Sequence, residues 1–187
     1  MRQGDSAYLL GRTATHRLWF VAVGVGLASA MVTWLAWGSW NPTATVNDEF
    51  SYLLQARIFA RGSWTGRTVP FEDFFQQPHV LVVPVLASKY PPGHAILLTP
   101  GAAINFPALT PLLLSAISGA LVFLVGSRRA GAPVGFLAWS IWITTPLVLR
   151  FEASFFSEVT TTTCTLGAWW FLSEWFSNRS NKSVLLL

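Results

Sequence analysis

The chain has 187 residues, 52% hydrophobic and 11% charged, with a mean hydropathy of +0.48, whereas soluble domains carry roughly a quarter of their residues as charges. A soluble fold of this size cannot hide so much apolar surface behind so few charges. The net charge of +4 does not indicate nucleic acid, because no basic run with interleaved aromatics occupies a polar segment.

In a membrane protein, excess Lys and Arg records orientation instead. Residues 18–37 are free of charge and about 20 residues long, enough to cross a hydrocarbon core. Arg12, His16 and Arg17 precede them, so the N-terminus is expected in the cytoplasm. Ala28-Ser29-Ala30 resembles a signal-peptidase site, but the apolar run continues to Trp37, which favours an uncleaved signal-anchor. The segment 38–107 is then a long outer loop. Within it, residues 47–62 read as one amphipathic helix. Asn47 is the expected N-cap, Asp48 and Glu49 fill the first turn, Arg57 and Arg61 fall late, and Gly62 supplies the stop. Phe50, Leu53, Leu54 and Ile58 form a stripe suited to lying on a membrane surface.

Residues 95–127 also lack charges, but one helix of that length would extend about 50 Å. Asn105, Pro107 and Pro111 divide the run into a short interfacial helix over 92–106 and a second span over 108–126. That span ends at Arg128-Arg129, expected on the cytoplasmic side. Residues 131–149 return to the outer face, where Arg150 and Glu152 form a candidate pair. Residues 159–176 descend to Arg179 and Lys182. Trp19, Trp37, Trp40 and Trp175 sit near span ends, as interfacial tryptophans do. The expected fold is all-α: a polytopic transmembrane helical bundle of about four full spans. Residues 183–187 look like a truncated fifth, as in the N-terminal fragment of a longer protein. Cys164, lacking a partner, reads as a small packing residue. Thr160–Thr163 read as a polar stripe in a buried helix. The sequons at Asn178 and Asn181 face the cytoplasm in this topology and read as chance matches.

The chemistry concentrates in the outer loop. Acids in a first helical turn stabilise the helix, which is one account of both Asp48 and Glu49; adjacent positions point about 100° apart, so one acid can be structural while the other faces a site. A partly desolvated carboxylate is also a stronger base than one in water, and Asp48 at the membrane boundary is placed to deprotonate an acceptor. In Ser88-Lys89-Tyr90-Pro91-Pro92-Gly93-His94, two prolines fix a helix entry, Gly93 allows close approach, and Lys89 beside helix N-terminal amides suits a phosphate or an anionic headgroup. Glu158 heads the last span on the same side, where an ionisable group is costly unless it faces a cavity or a partner. His79 and His94 lack metal-ligand spacing.

An acidic pair soon after the first span, a following tyrosine, the Ala-Arg and Gly ending, and above all the Lys-Tyr-Pro-Pro-Gly element resemble the GT-C-type membrane glycosyltransferases. The resemblance is to a family 39-like bacterial branch related to protein O-mannosyltransferases and lipid A aminoarabinose transferases. It covers residues 18–176 and only the first part of such an enzyme. It implies transfer of a sugar from a polyprenyl-phosphate carrier to a glycan, lipid or protein acceptor at the non-cytoplasmic face of the bacterial inner membrane. By position it implies Asp48 as general base, Glu49 in support, and Glu158 as a second active-site acid where relatives commonly have Asp. Lys89 matches the phosphate-holding residue, with Tyr52, Tyr90 and His94 as substrate-binding neighbours. It implies no certain cofactor, since relatives differ in divalent-metal use. The alternative is a non-catalytic, truncated membrane protein, an assembly subunit or a lipid-carrier binder.

Overall fold

The computed structural model describes the backbone of residues 3–39 and 42–184 and the side chains of residues 17–39 and 42–176. Expectations placed on Trp40, on the side chains of Arg12, His16, Arg179 and Lys182, on the side chains of both sequons and on residues 185–187 lie outside the described residues, while the backbone of Ser183 and Val184, expected to open a fifth span, continues the last helix. In chain order the helices are α1 (Gln3–Trp37), α2 (Asn47–Ala60), α3 (Pro92–Ala103), α4 (Leu109–Ala130), α5 (Ala132–Thr144), α6 (Pro146–Glu152) and α7 (Ser157–Val184). The all-α expectation needs one addition. Between α2 and α3 lie a 3₁₀ turn at Glu72–Phe75 and two short antiparallel strands, β1 (Val80–Leu81) and β2 (Ala87–Ser88).

The bundle is organised around α4, which packs against α1, α5 and α7. Small residues bring the backbones together, as in helix pairs that associate without a hydrophobic gradient. A Cβ added to Gly26 of α1 would lie 2.7 Å from the Ala116 carbonyl oxygen of α4. Gly119 faces Ser29, and Gly135 of α5 sits against Ser127 and the Phe123 carbonyl. Polar pairs cross these interfaces: Thr33 with Ser115 at 2.7 Å, Ser118 with Thr163 at 2.7 Å, and the Trp139 indole N–H donating to Ser29 Oγ at 2.8 Å. Following these contacts along the chain, α1 and α5 run antiparallel to α4, while α7 runs parallel to it. Ala22, Val25, Phe123, Leu124 and Trp170 close one end of the bundle with an apolar cluster.

Among the described residues, two helical segments, Arg17–Trp37 and Leu109–Ala130, are long and apolar enough to cross a membrane. At 1.5 Å per residue they reach about 31 and 33 Å. The expected straight crossing over 131–149 is corrected: α5 and α6 meet at a 72° bend. Pro146 disfavours helical backbone at the residue before it, and Thr145 is extended with ψ 119°. The bent pair makes up to one further span. The expected span 159–176 lies inside α7, whose described residues are less apolar than those of Arg17–Trp37 and Leu109–Ala130.

Two smaller expectations also change. Cys164 is exposed on α7 rather than packed. Of the threonine stripe, Thr163 is buried and Thr161 is exposed.

Candidate functional site

Residues 42–107 fold into a cap over one end of the bundle. Its core is Tyr52, Leu53 and Ala56 of α2, Leu98 of α3, and Phe155 from the turn before α7. This corrects the expected membrane-facing stripe on α2: Leu53 and Ile58 are buried in protein, while Phe50 is exposed. The reason is α3, whose apolar face competes for the same side of α2. The helix 92–106 is observed as α3, ended by Asn105 in a left-handed conformation at φ 57° and by the Phe106 N–H on the Gly101 carbonyl.

The start of α2 separates the two acids. Asn47 lies in the first turn and the N-cap is Val46, which has no capping side chain. Glu49 fills that role. Its Oε2 accepts from the Thr45 N–H at 2.7 Å, the Thr45 hydroxyl at 2.9 Å and the Val46 N–H at 3.2 Å. Its Oε1 accepts from the Phe155 N–H at 2.9 Å, and the residue is only 3% exposed. Glu49 therefore welds the cap to the α6–α7 turn. Asp48, about 100° further round the helix, points elsewhere and keeps 38% side-chain exposure.

Asp48 Oδ1 lies 2.9 Å from His79 Nε2. The other ring nitrogen of His79 is 3.1 Å from the Tyr90 hydroxyl. The rings of His79, Tyr90 and Tyr52 stack in series, with centroids 5.0 and 4.8 Å apart. Partial burial, together with a hydrogen bond and negative charge from Asp48, holds the Tyr90 phenol above its usual range, with smaller contributions from Tyr52 and Glu158. A carboxylate accepts, so Nε2–H donates to Asp48, and in the neutral ring the remaining Nδ1 accepts from the Tyr90 hydroxyl. In sequence, His79 offers only a weak metal-ligand reading together with His94 and an acid. The cue lay in the buried polar residues of α2 that hold its strand: Ser51 donates to the His79 carbonyl at 2.6 Å and pairs with Ser88 at 2.7 Å. Gln55 accepts from the Ser88 N–H at 2.8 Å and donates to the Trp64 carbonyl at 2.9 Å.

The remaining candidates divide between exposed and buried positions. Lys89 is exposed, its Nζ donating to the Pro78 carbonyl at 3.0 Å and its backbone N–H to the His79 carbonyl at 3.0 Å. Gly93 is exposed with open space around it. Tyr52 is buried and its hydroxyl donates to Ser157 Oγ at 3.1 Å. His94 is buried, with Nε2 2.9 Å from the Phe155 carbonyl and Nδ1 2.8 Å from the Thr160 hydroxyl. A carbonyl only accepts, so Nε2 carries the hydrogen. Burial lowers the His94 pKa, partly opposed by the Phe155 carbonyl and the charge of Glu158. With both nitrogens engaged, His94 acts here as a strut between α3 and α7.

Glu158 is exposed at the head of α7, and its charge is felt by both Tyr90 and His94. It lines a cavity of about 130 Å³ with Trp142, Phe151 and Glu152. The expected Arg150–Glu152 pair does not form. Residues two apart on a helix do not face each other; Arg150 is exposed, whereas Glu152 is buried with Oε2 unpartnered. Among the described residues, no group of three or more His, Cys, Asp or Glu side chains is placed to hold a metal.

Comparison with models of known families, with curated proteins and with solved structures finds no match. Any functional reading therefore rests on the site itself. What the site offers is an accessible carboxylate oriented by a histidine–tyrosine stack, a nearby exposed lysine, and a second exposed acid.

Proposed function

We propose that the chain is a membrane-embedded glycosyltransferase of the GT-C type, or the part of one that carries its first spans and first outer loop. It would take a sugar from a polyprenyl-phosphate carrier. The observation that carries the reading is the contrast between adjacent acids: Glu49 is consumed by structure, while Asp48 is partly exposed and held by His79. Asp48 is the base that removes the acceptor proton, and the bond from His79 orients its carboxylate. Lys89 exchanges its bond to the Pro78 carbonyl for the carrier phosphate and offsets the charge that grows there as the sugar departs. One displacement at the anomeric carbon inverts its configuration. Glu158 is the second acid beside the acceptor path.

The reading includes a four-crossing topology: α1, α4, the bent α5–α6 pair and α7. It is supported by the alternating directions of these helices and by Arg17 and Arg128-Arg129 at the ends away from the cap. The N-terminus is then cytoplasmic and the cap lies on the outer face of a bacterial inner membrane.

The test is transfer by the intact gene product in proteoliposomes supplied with a panel of labelled polyprenyl-phosphate sugars and a cell-envelope acceptor extract. Asp48→Asn is expected to lower transfer by about 10²-fold or more while donor still protects the cap from protease. Full transfer by Asp48→Asn sinks the base assignment. Donor protection with no transfer by the wild type, over a panel the cell's own membranes do use, supports a carrier-binding protein instead.

A further inference from the structure

At the end of the bundle away from the cap, α4 and α7 part around a cavity of about 490 Å³, within the range of small-ligand sites. Its lining includes Val125, Arg128, Arg129, Trp169, Leu172 and Phe176. Arg128 is committed: its guanidinium is 2.8 Å from the Glu174 carboxylate and lies 5.0 Å over the Trp170 ring. Arg129 is exposed, and among the described residues no carboxylate lies within ion-pair distance of it. Among the described residues, the cavity therefore carries one guanidinium without a carboxylate partner, above apolar and aromatic walls. Those walls run on into the exposed α7 face formed by Trp169, Leu172 and Phe176.

We infer that this cavity binds the headgroup of an anionic phospholipid. Arg129 pairs with the phosphate, for which a planar guanidinium is well matched. Trp169 and Leu172 cover the first part of an acyl chain, and the Arg128–Glu174 pair forms a rigid floor. Charge and apolar wall together select a lipid over free phosphate, which has nothing to place on the tryptophan side. Zwitterionic lipid offers the same chains, but its own cation stands beside the phosphate that Arg129 needs. The inference is independent of the glycosyltransferase reading and holds whichever leaflet this end faces.

The experiment is native mass spectrometry of the full chain in detergent, titrated with phosphatidylglycerol or phosphatidylcholine, with unfolding temperature read in parallel. Wild type is expected to retain one phosphatidylglycerol in preference to phosphatidylcholine and to gain thermal stability from it. Arg129→Gln is expected to weaken that binding about 5-fold. Trp169→Ala, which changes no charge, should weaken it as well, and Arg67→Gln in the cap should leave it unchanged. Equal retention of the two lipids overturns the inference. So does equal loss from Arg129→Gln and Arg67→Gln, unchanged binding in Trp169→Ala, or displacement of the lipid by inorganic phosphate at millimolar concentration. Both exposed side chains can be replaced without opening the core, and each variant's unfolding temperature without lipid checks that it folds.

Discussion

Replacing Glu49 by alanine removes the acceptor for four hydrogen bonds, three at the entrance to α2 and one to the backbone N–H of Phe155. The Phe155 donor is buried and has no alternative partner in view; leaving such a group unsatisfied costs about 1–3 kcal/mol. Losing the cap of a helix costs about 1 kcal/mol more. The expected destabilisation is therefore about 2–4 kcal/mol for Glu49→Ala. Glu49→Gln keeps one accepting oxygen, enough for the Thr45 side or the Phe155 side but not both, and should fall between that variant and wild type. Asp48→Ala breaks a half-exposed pair with His79 and should cost no more than about 1 kcal/mol. Reversible unfolding in mixed detergent–SDS micelles, followed by tryptophan fluorescence, measures all three. Trp37 packs on Phe155 with ring centroids 5.2 Å apart, so the affected contact contributes to the signal. A Glu49→Ala cost below about 0.5 kcal/mol, or an Asp48→Ala cost as large as that of Glu49→Ala, refutes the division of labour between these acids.

Three further outcomes are expected. Burial lowers the His94 pKa, so the unfolded chain binds more protons than the folded one once pH falls towards about 6.5. Stability should then decline on acidification from about pH 7.5, by no more than about 1.4 kcal/mol per pH unit for this one proton, and His94→Gln should flatten that slope; an unchanged slope assigns the effect to other groups. In α1, Gly26→Val forces a side chain against the Ala116 carbonyl and should cost about 1–3 kcal/mol, whereas Gly24→Ala, with open space around it, should be neutral or stabilising by up to about 1 kcal/mol. Equal effects at the two positions would deny the close α1–α4 contact. In a Cys164→Ser background, Ser63→Cys should react with an impermeant maleimide added to intact cells and Arg129→Cys should not; the reverse pattern overturns the proposed orientation.

Much of the helical framework was legible from residue patterning, because spans and breaks follow from short-range rules. A charge-free run long enough to cross a membrane marks α1. Asn105 and Pro107 mark the division between α3 and α4, since one adopts a left-handed stop and the other lacks an N–H. Gly62 just past α2 has φ 74°, the conformation a helix stop favours. Pro146 is a local cue to a bend, but the charge-free run over 131–149 was read as one straight crossing, where a 72° break is found.

The candidate site was legible as residue types and illegible as roles. Asp48 and Glu49 are adjacent acids in a first turn, and nothing local distinguishes them. Only the packing of the α6–α7 turn against α2, which brings the Phe155 N–H to Glu49, makes one structural and leaves the other free. His79 stood in a polar stretch with no motif around it; a two-stranded hairpin held by Ser51 and Gln55 carries it to Asp48, a contact across thirty-one positions of sequence. Tyr52 and His94 carry no mark of burial in the sequence, and tertiary packing turned both into struts against α7. By itself, then, the sequence determined that the chain is mostly helical and where α1, α3 and α4 are divided, because those properties are set by neighbours a few residues apart; the four straight spans it suggested were not all found. Which carboxylate is spent on the fold and which stays available was decided only by tertiary structure, because it depends on donors brought from distant parts of the chain.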